Sequence, residues 1–167
     1  LEVSAASGDE DTAIALDIAS ALTDTDGSEV LSVTIDDIPE GATLSAGTVN
    51  EDGSVTLNPA ELAGLTITPA ANSDADFDLT VAATSTDGTD TATTTATLAV
   101  TVAAVADAPT LEVSAASGDE DTAIALDIAS VLTDTDGSEV LTVTIDGIPE
   151  GATLSAGTLN EDGSVTL

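Results

Sequence analysis

The acidic residues of this chain fall in short clusters, and oxygen is the only ligand chemistry they offer. Asp24-Thr25-Asp26-Gly27-Ser28-Glu29 places three carboxylates around one glycine. Calcium takes roughly six to eight hard oxygens from carboxylates, carbonyls and waters. An Asp-x-Asp-Gly turn supplies two of those carboxylates, and its glycine lets carbonyls swing toward an ion. Asp24 and Asp26 are therefore the leading candidate ligands. Asp74, Asp76 and Asp78 stand two apart on an extended run, so their side chains share a face and repel unless a cation lies between them. Asp9, Glu10 and Asp11 form a further cluster between two expected strands, from which Glu10 and Asp11 are candidates. Asp36, Asp37 and Glu40 form another. Glu51-Asp52 precedes Gly53 and reads as a hairpin turn.

No side chain in the sequence can answer this charge. Asp and Glu number 32, Lys, Arg and His are absent, and the formal net charge is -32 on 167 residues. Two carboxylates ~4 Å apart repel by roughly 4 kcal/mol at an effective dielectric of about 20. A domain stable by only ~5–15 kcal/mol tolerates few such contacts. Mobile salt screens charges that are spread out; clustered ones call for a bound ion, and for oxygen ligands that ion is Ca²⁺. The plainer alternative is a salt-adapted acidic coat.

The same balance excludes whole classes of function. Phosphate contacts need cations, so nucleic acid is not an expected partner, and an anionic membrane surface is repelled. No apolar run approaches the ~20 residues of a membrane span, so no insertion is expected, and the opening residues do not read as a secretory leader. Without Cys or His there is no disulfide, no thiolate chemistry and no imidazole-based zinc or acid–base chemistry.

The clusters sit within a long repeat. Residues 1–57 return as 111–167 without a gap, changed only at Ala21→Val131, Ser32→Thr142, Asp37→Gly147 and Val49→Leu159. A period of 110 residues is domain-sized rather than solenoid-sized. The reading is a first repeat over 1–106, a short linker 107–110, and the first half of a second repeat over 111–167. Such a half copy exposes one side of a core. Three readings stay open: further residues complete it, the fold boundary is shifted, or the fragment swaps or pairs with a neighbour. Of the four changes, Ser32→Thr142 is outward and near neutral. Ala21→Val131 and Val49→Leu159 add methyl groups available to a lean core. Asp37→Gly147 removes an acid from a turn that tolerates a left-handed residue.

Period-2 alternation positions the clusters on strands and turns. It runs through Ile14–Ile18, Leu31–Ile35, Val55–Leu57, Leu65–Ile67, Phe77–Val81 and Ala96–Val102, punctuated by Asp-Gly and Gly. Seven to eight strands per repeat, each with one apolar face, imply an all-β fold of two packed antiparallel sheets. Asn58 caps a short helical turn at Pro59–Gly64 that is expected to cross between sheets and plug an edge with Leu62. The core is built of small residues, with Phe77 the single aromatic.

Val105-Ala106-Asp107-Ala108-Pro109-Thr110-Leu111 joins the repeats and reads as semi-rigid. Asp107, Glu120, Asp121 and the Asp134 loop are expected near one pole of the second repeat, where one ion could draw ligands from the joint. Two familiar calcium motifs are absent. Counting from Asp24, the twelfth position of an EF-hand loop is Ile35 rather than Glu, and no Gly-Gly-x-Gly-x-Asp nonapeptide occurs.

Asp107-Ala108-Pro109-Thr110-Leu111, Gly118-Asp119-Glu120-Asp121 and Leu132-Thr133-Asp134-Thr135-Asp136-Gly137-Ser138-Glu139 occur in that order. With Ile38–Ser45 and Leu57–Ile67, they resemble the immunoglobulin-like (cadherin-like) tandem repeats of giant bacterial repeats-in-toxin adhesins. The resemblance covers the first repeat and the partial second. It implies an immunoglobulin-like Greek-key β-sandwich in tandem, type I secretion, and a place at the surface of a Gram-negative cell. It also implies a function: a calcium-stabilised extender in which neighbouring repeats form a rod and other domains contact the distal target. Ligands of that kind map onto Glu10, Asp24 and Asp26, and onto Asp107, Glu120, Asp134 and Asp136 at the joint. Cadherin joints carry Asp-x-Asn-Asp-Asn, whereas Asp107-Ala108-Pro109 offers one acid, which implies fewer ions per junction. The alternative is a direct adhesion or ligand-binding module, with Thr91–Thr97 as a flat contact strand. A two-carboxylate glycosidase lacks substrate-holding aromatics here, and no enzyme is expected.

Overall fold

The computed structural model describes residues 1–24 and 26–167. They form two compact units, Leu1–Val105 and Ala106–Leu167. The first boundary thus falls one residue before the expected one.

Among its described residues the first unit is all-β apart from a single 3₁₀ turn. Its strands are β1 (Glu2–Val3), β2 (Ala6–Asp9), β3 (Ile14–Ala15), β4 (Ile18–Ala19), β5 (Val30–Asp36), β6 (Thr43–Leu44), β7 (Thr48–Val49), β8 (Val55–Leu57), β9 (Thr66–Thr68), β10 (Phe77–Asp87) and β11 (Asp90–Ala103). Six form a curled half-barrel sheet in the order β2-β11-β10-β5-β8-β7. A three-stranded sheet runs β3-β9-β6, and β1 pairs with β4. Among the described residues every strand pairing is antiparallel except one: β2 lies parallel to β11, with Ala6 opposite Val100 and Asp9 opposite Ala103. Nothing in Ser7-Gly8-Asp9 alternates in hydropathy, so this strand was not expected. Gly8 allows it, because a Cβ there would meet Ile14 Cγ1 at 2.8 Å.

Alternation decides which side chains go inside. Leu79, Val81 and Ala83 of β10 are buried, as are Leu98, Val100 and Val102 of β11. With Val33, Ile35, Val55 and Leu57 they meet Ile14, Leu65 and Ile67 from the other sheet in one aliphatic cluster. Phe77 is only half-buried at its margin. Both long strands outrun their apolar pattern, pairing out to Asp87 opposite Asp90. That extension is rich in threonine, whose branched Cβ suits a strand even without a core to face.

The run Ile14–Ile18 is not one strand. Ile14 pairs with Ile67 in the three-stranded sheet, whereas Ile18 pairs with Val3. Between them Leu16 N donates to Leu65 O at 2.9 Å. The apolar side chains stay inward while the backbone changes partner, which a hydrophobic pattern cannot reveal.

The turn Pro59–Glu61 forms as expected. Ala60 N donates to Asn58 Oδ1 at 3.0 Å, and Asn58 N donates to Glu61 Oε2 at 2.8 Å. These two reciprocal bonds satisfy end groups of the turn. It carries the chain from β8 in one sheet to β9 in the other, and Leu62 behind it is buried.

Two of the repeat's substitutions do not act as expected. Val49 and Leu159 are 72% and 71% exposed, and Val131 is 60% exposed, so their methyl groups do not fill a core. The turn reading holds: Asp37 has φ 61° and Gly147 has φ 69°. Glycine enters this left-handed region without the steric cost that a Cβ brings.

The second unit has five strands among its described residues: β12 (Thr110–Val113), β13 (Ile128–Val131), β14 (Thr144–Ile145), β15 (Thr158–Leu159) and β16 (Val165–Thr166). The β12–β13 pair repeats β1–β4, and β14-β16-β15 repeats β5-β8-β7. These are pairings for which residues 111–167 contain both strands. The stretches matching β2, β3 and β6 are not strands here. Their partners in the first unit are β9 and β11, which this half copy lacks.

Leu79 has no exposed surface. Leu79→Ala is expected to lower the unfolding free energy by about 2–5 kcal/mol, the usual cost of a core cavity. Urea unfolding of the full chain, followed by circular dichroism, measures it.

Candidate metal centre

Backbone hydrogen bonds fold the loop after β4 back on itself. Asp24 Oδ1 accepts from Asp26 N at 3.0 Å, and Asp26 Oδ1 accepts from Ser28 N at 2.9 Å. Two successive turns capped by aspartate result. They gather Asp24, Asp26 and Glu29 so that one carboxylate oxygen of each lies within 4.8 Å of the others. The middle residue of the motif, Thr25, lies outside the described residues.

The second copy folds alike. Asp134 Oδ1 accepts from Asp136 N at 2.8 Å, Asp136 Oδ1 accepts from Ser138 N at 2.7 Å, and Ser138 Oγ donates to Glu139 Oε2 at 2.9 Å. Asp134 and Glu139 bring carboxylate oxygens within 4.8 Å of one another. Asp134 is buried, and its Oδ2 has no hydrogen-bond donor.

Glu29 and Glu139 are the residues that sequence reasoning passed over as ligands. The signal was present in Asp-x-Asp-Gly-Ser-Glu. The tight turn at Gly27, with φ 95°, returns the sixth residue toward the first.

Glu10 is held differently. Its N–H donates to Ala103 O at 3.0 Å, continuing the β2–β11 ladder. Its Oε1 accepts from Val105 N at 2.6 Å, while Oε2 is buried without a donor. The counterpart Glu120 is exposed; the half copy has no residue in the place of Val105.

The remaining candidates scatter. Asp11 Oδ1 accepts from Asn72 N at 2.9 Å, and Asp76 Oδ1 accepts from Val102 N at 2.8 Å. Both carboxylates therefore tie backbone segments together. Among the described residues, Asp11, Asp74, Asp76, Asp107, Glu120 and Asp121 join no trio of carboxylates within 4.8 Å. Asp52 keeps its expected turn role: Oδ1 accepts from Ser54 Oγ at 2.7 Å and Ser54 N at 3.1 Å. Asp162 does the same with Ser164.

The donor set fits a hard divalent cation. Every candidate atom is an oxygen, the acidic trio is preorganised by the backbone, and buried carboxylate oxygens stand without donors. The residues placed to hold such an ion are Asp24, Asp26 and Glu29 in the first loop, with Asp134 and Glu139 drawn together in the second; Asp136, a predicted ligand, joins no trio of carboxylates within 4.8 Å among the described residues. No protein-family model matches this chain, and no curated protein or solved structure matches it.

Titration separates the loop acids by environment. The Ser28 N–H and then the Ser28 hydroxyl hold Asp26 below its ordinary value. The Ser54 hydroxyl and N–H do so for Asp52, as Ser164 does for Asp162. At Glu139 the Ser138 hydroxyl pulls down. Burial, the contact with the Asp134 carboxyl and the charges of Asp134 and Asp136 together win, and the net shift is upward.

A depressed folded pKa adds stability present above the ordinary carboxylate range and lost as pH falls through the depressed value. A raised one adds stability present below the ordinary value and lost as pH rises through the raised value. In chelator at neutral pH, Glu139→Gln is thus expected to raise the melting midpoint, and Asp52→Asn to lower it and flatten the acid limb. Melts from acid to neutral pH test both signs; a drop for Glu139→Gln in chelator would refute the first.

Proposed function

We propose that this chain is a calcium-stabilised structural spacer, one stretch of a series of like domains in a secreted bacterial adhesin. The observation that carries the reading is the acidic trio Asp24, Asp26 and Glu29, drawn together in a chain with no cationic side chain to answer it. The same Asx-turned loop recurs 110 residues later. A motif kept intact through domain-length duplication suits a module whose task is length. Calcium at the loops would replace repulsion with attraction, so the ion would contribute directly to folding.

In this reading each complete repeat is an immunoglobulin-like or cadherin-like sandwich. One aliphatic core fed by both the six-stranded and the three-stranded sheet supports it. The setting is extracellular, at a Gram-negative cell surface, and the distal target is contacted by other domains. Direct adhesion is the second reading. Favouring it, outward threonines pair across β10 and β11, including Thr84 and Thr93, whose hydroxyls lie 2.9 Å apart. No catalytic role is part of the proposal.

Calcium titration of thermal unfolding, with magnesium in parallel, tests the ion. At ~100 times the dissociation constant each site adds about 2.7 kcal/mol, and affinities of ~10⁻⁴–10⁻³ M are typical of extracellular modules. The midpoint is expected to climb at millimolar calcium and much less with magnesium. In calcium, Glu139→Gln should lower the midpoint, reversing its sign in chelator. Melting indifferent to calcium at moderate salt would sink the ion-stabilised spacer. Saturable binding of the chain to a surface or to itself would favour direct adhesion.

A further inference from the structure

One edge of the six-stranded sheet is long and uncharged. β2 covers β11 only from Val100 to Ala103. Before Val100, no described strand pairs with the side of β11 that faces away from β10. The N–H and C=O groups of such an edge are a template for another strand, and edges are commonly blunted by charge, proline or shortness. The opposite edge is blunted in this way: β7 has two residues and runs into Glu51 and Asp52. Residues 91–106 carry neither an acid nor a proline, in a chain where Asp and Glu number 32 among 167 residues.

The main chain is aimed for pairing. Asp87 and Asp90 close the hairpin of β10 and β11 over Gly88-Thr89. In an antiparallel ladder alternate pairs exchange bonds. Counted from that closing pair, Ala92, Thr94 and Ala96 bond to β10, while Thr91, Thr93, Thr95 and Thr97 turn their N–H and C=O groups toward the open edge. The hydroxyls of Thr84 and Thr93, 2.9 Å apart, agree with this count, because side chains come closest in the pairs that exchange no bond. Side chains 91–95 are exposed on both faces of the strand, which leaves room for a neighbour.

The edge also reads the same from either end. Thr91-Ala92-Thr93-Thr94-Thr95-Ala96-Thr97 is symmetric about Thr94. A second copy brought alongside by a two-fold axis at Thr94 sets Thr93 against Thr95, Ala92 against Ala96 and Thr91 against Thr97. Partners in each pair then match in type and lie on the same face, and the outward-turned main-chain groups of the odd-numbered residues meet one another. A two-fold contact requires this kind of self-complementarity.

We propose that β11 docks a second copy of this chain, antiparallel and centred on Thr94, so that two six-stranded sheets run on as one. Main-chain bonds supply the attraction. Threonine pairs carry across the seam a ladder that β10 and β11 already make, with Thr80 opposite Thr97, Thr84 opposite Thr93 and Thr86 opposite Thr91. Two chains of charge -32 approach most easily where acids are absent, which this strip provides. A single strand edge is small beside a standard interface, so the pair is weak and depends on concentration. Added salt strengthens it by screening the surrounding acids. The inference rests on the second reading above, direct adhesion, to which it gives a partner and a surface; it needs no ion at the loops.

Sedimentation equilibrium of the full chain at rising concentration and moderate salt tests the pairing, and hydrogen exchange read by mass spectrometry gives its location. An equilibrium that stops at the dimer is expected, with exchange slowing over 91–97 as the dimer fills. Thr95→Pro removes a donor from the open edge and none from β10, and should weaken the pair roughly 10-fold or more. Thr93→Asp, at an exposed position, should weaken it likewise. Mixing that variant with Thr95→Lys should restore a one-to-one pair, because positions 93 and 95 face each other, whereas Thr48→Lys on β7 should not. Circular dichroism of each variant checks that it is folded. No association up to millimolar chain would overturn the pairing and adhesion between copies together. Association that ignores Thr95→Pro and Thr93→Asp, or that protects only fragments outside 91–97, would leave adhesion standing and overturn the edge as its site. Growth beyond the dimer would overturn it too, since a two-fold contact closes on itself.

Discussion

A carboxylate in this protein has few partners to choose from: a backbone N–H, a hydroxyl, an Asn amide, water or a dissolved cation. No side chain carries an ammonium, guanidinium or imidazole to take the role. The architecture follows this restriction closely. Asp26 and Asp52 accept from N–H groups two residues on, Glu61 closes the cap of its turn, and Asp11, Asp76 and Glu10 accept from backbone far away in sequence. Charge that in other proteins would form ion pairs here becomes the acceptor half of turn and loop construction. Hydrogen bonds to a charged acceptor contribute more than neutral ones, so the acids support the fold wherever an N–H can be aimed at them. The surplus gathers in the Asp-x-Asp-Gly-Ser-Glu loops, where three carboxylates converge in the first copy and Asp134 and Glu139 in the second.

The two units act as a comparison that the molecule supplies by itself. Nearly the same 57 residues appear with and without the segment that follows them in the first copy. The short-range ribbons survive in both: β1 with β4, and β5-β8-β7. What disappears is every strand whose partner is β9 or β11. Those two strands therefore order the rest of the fold from a distance. Long-range pairing of this kind is slow to form, because a large loop closes before any bond rewards it.

Much of the fold was legible in the sequence because burial follows alternation. Leu79, Val81, Leu98 and Val100 announce their faces, and Asn58-Pro59 announces its turn. The division of Ile14–Ile18 between two sheets was not legible, since hydropathy records which side is inward but not which strand is alongside. The parallel strand Ala6–Asp9 was hidden for a related reason: an edge strand of Ser, Gly and Asp carries no apolar period, and only the small size of Gly8 hints at a close neighbour. At the loops, Asp24 and Asp26 stood out by spacing. The return of Glu29 depends on the left-handed bend at Gly27, and Glu10 Oε1 is held by the N–H of Val105, 95 residues away. Distance in sequence, not chemistry, obscured those two.

The parallel seam between β2 and β11 has a mechanical consequence. One of these strands lies near the start of the first unit and the other at its end, running the same way side by side. Tension applied to the two ends slides the strands past each other along their length. The bonds between them are then loaded in shear and must yield together, rather than unzipping one after another from an open corner. A unit wired in this manner resists stretching far better than its small aliphatic interior would suggest.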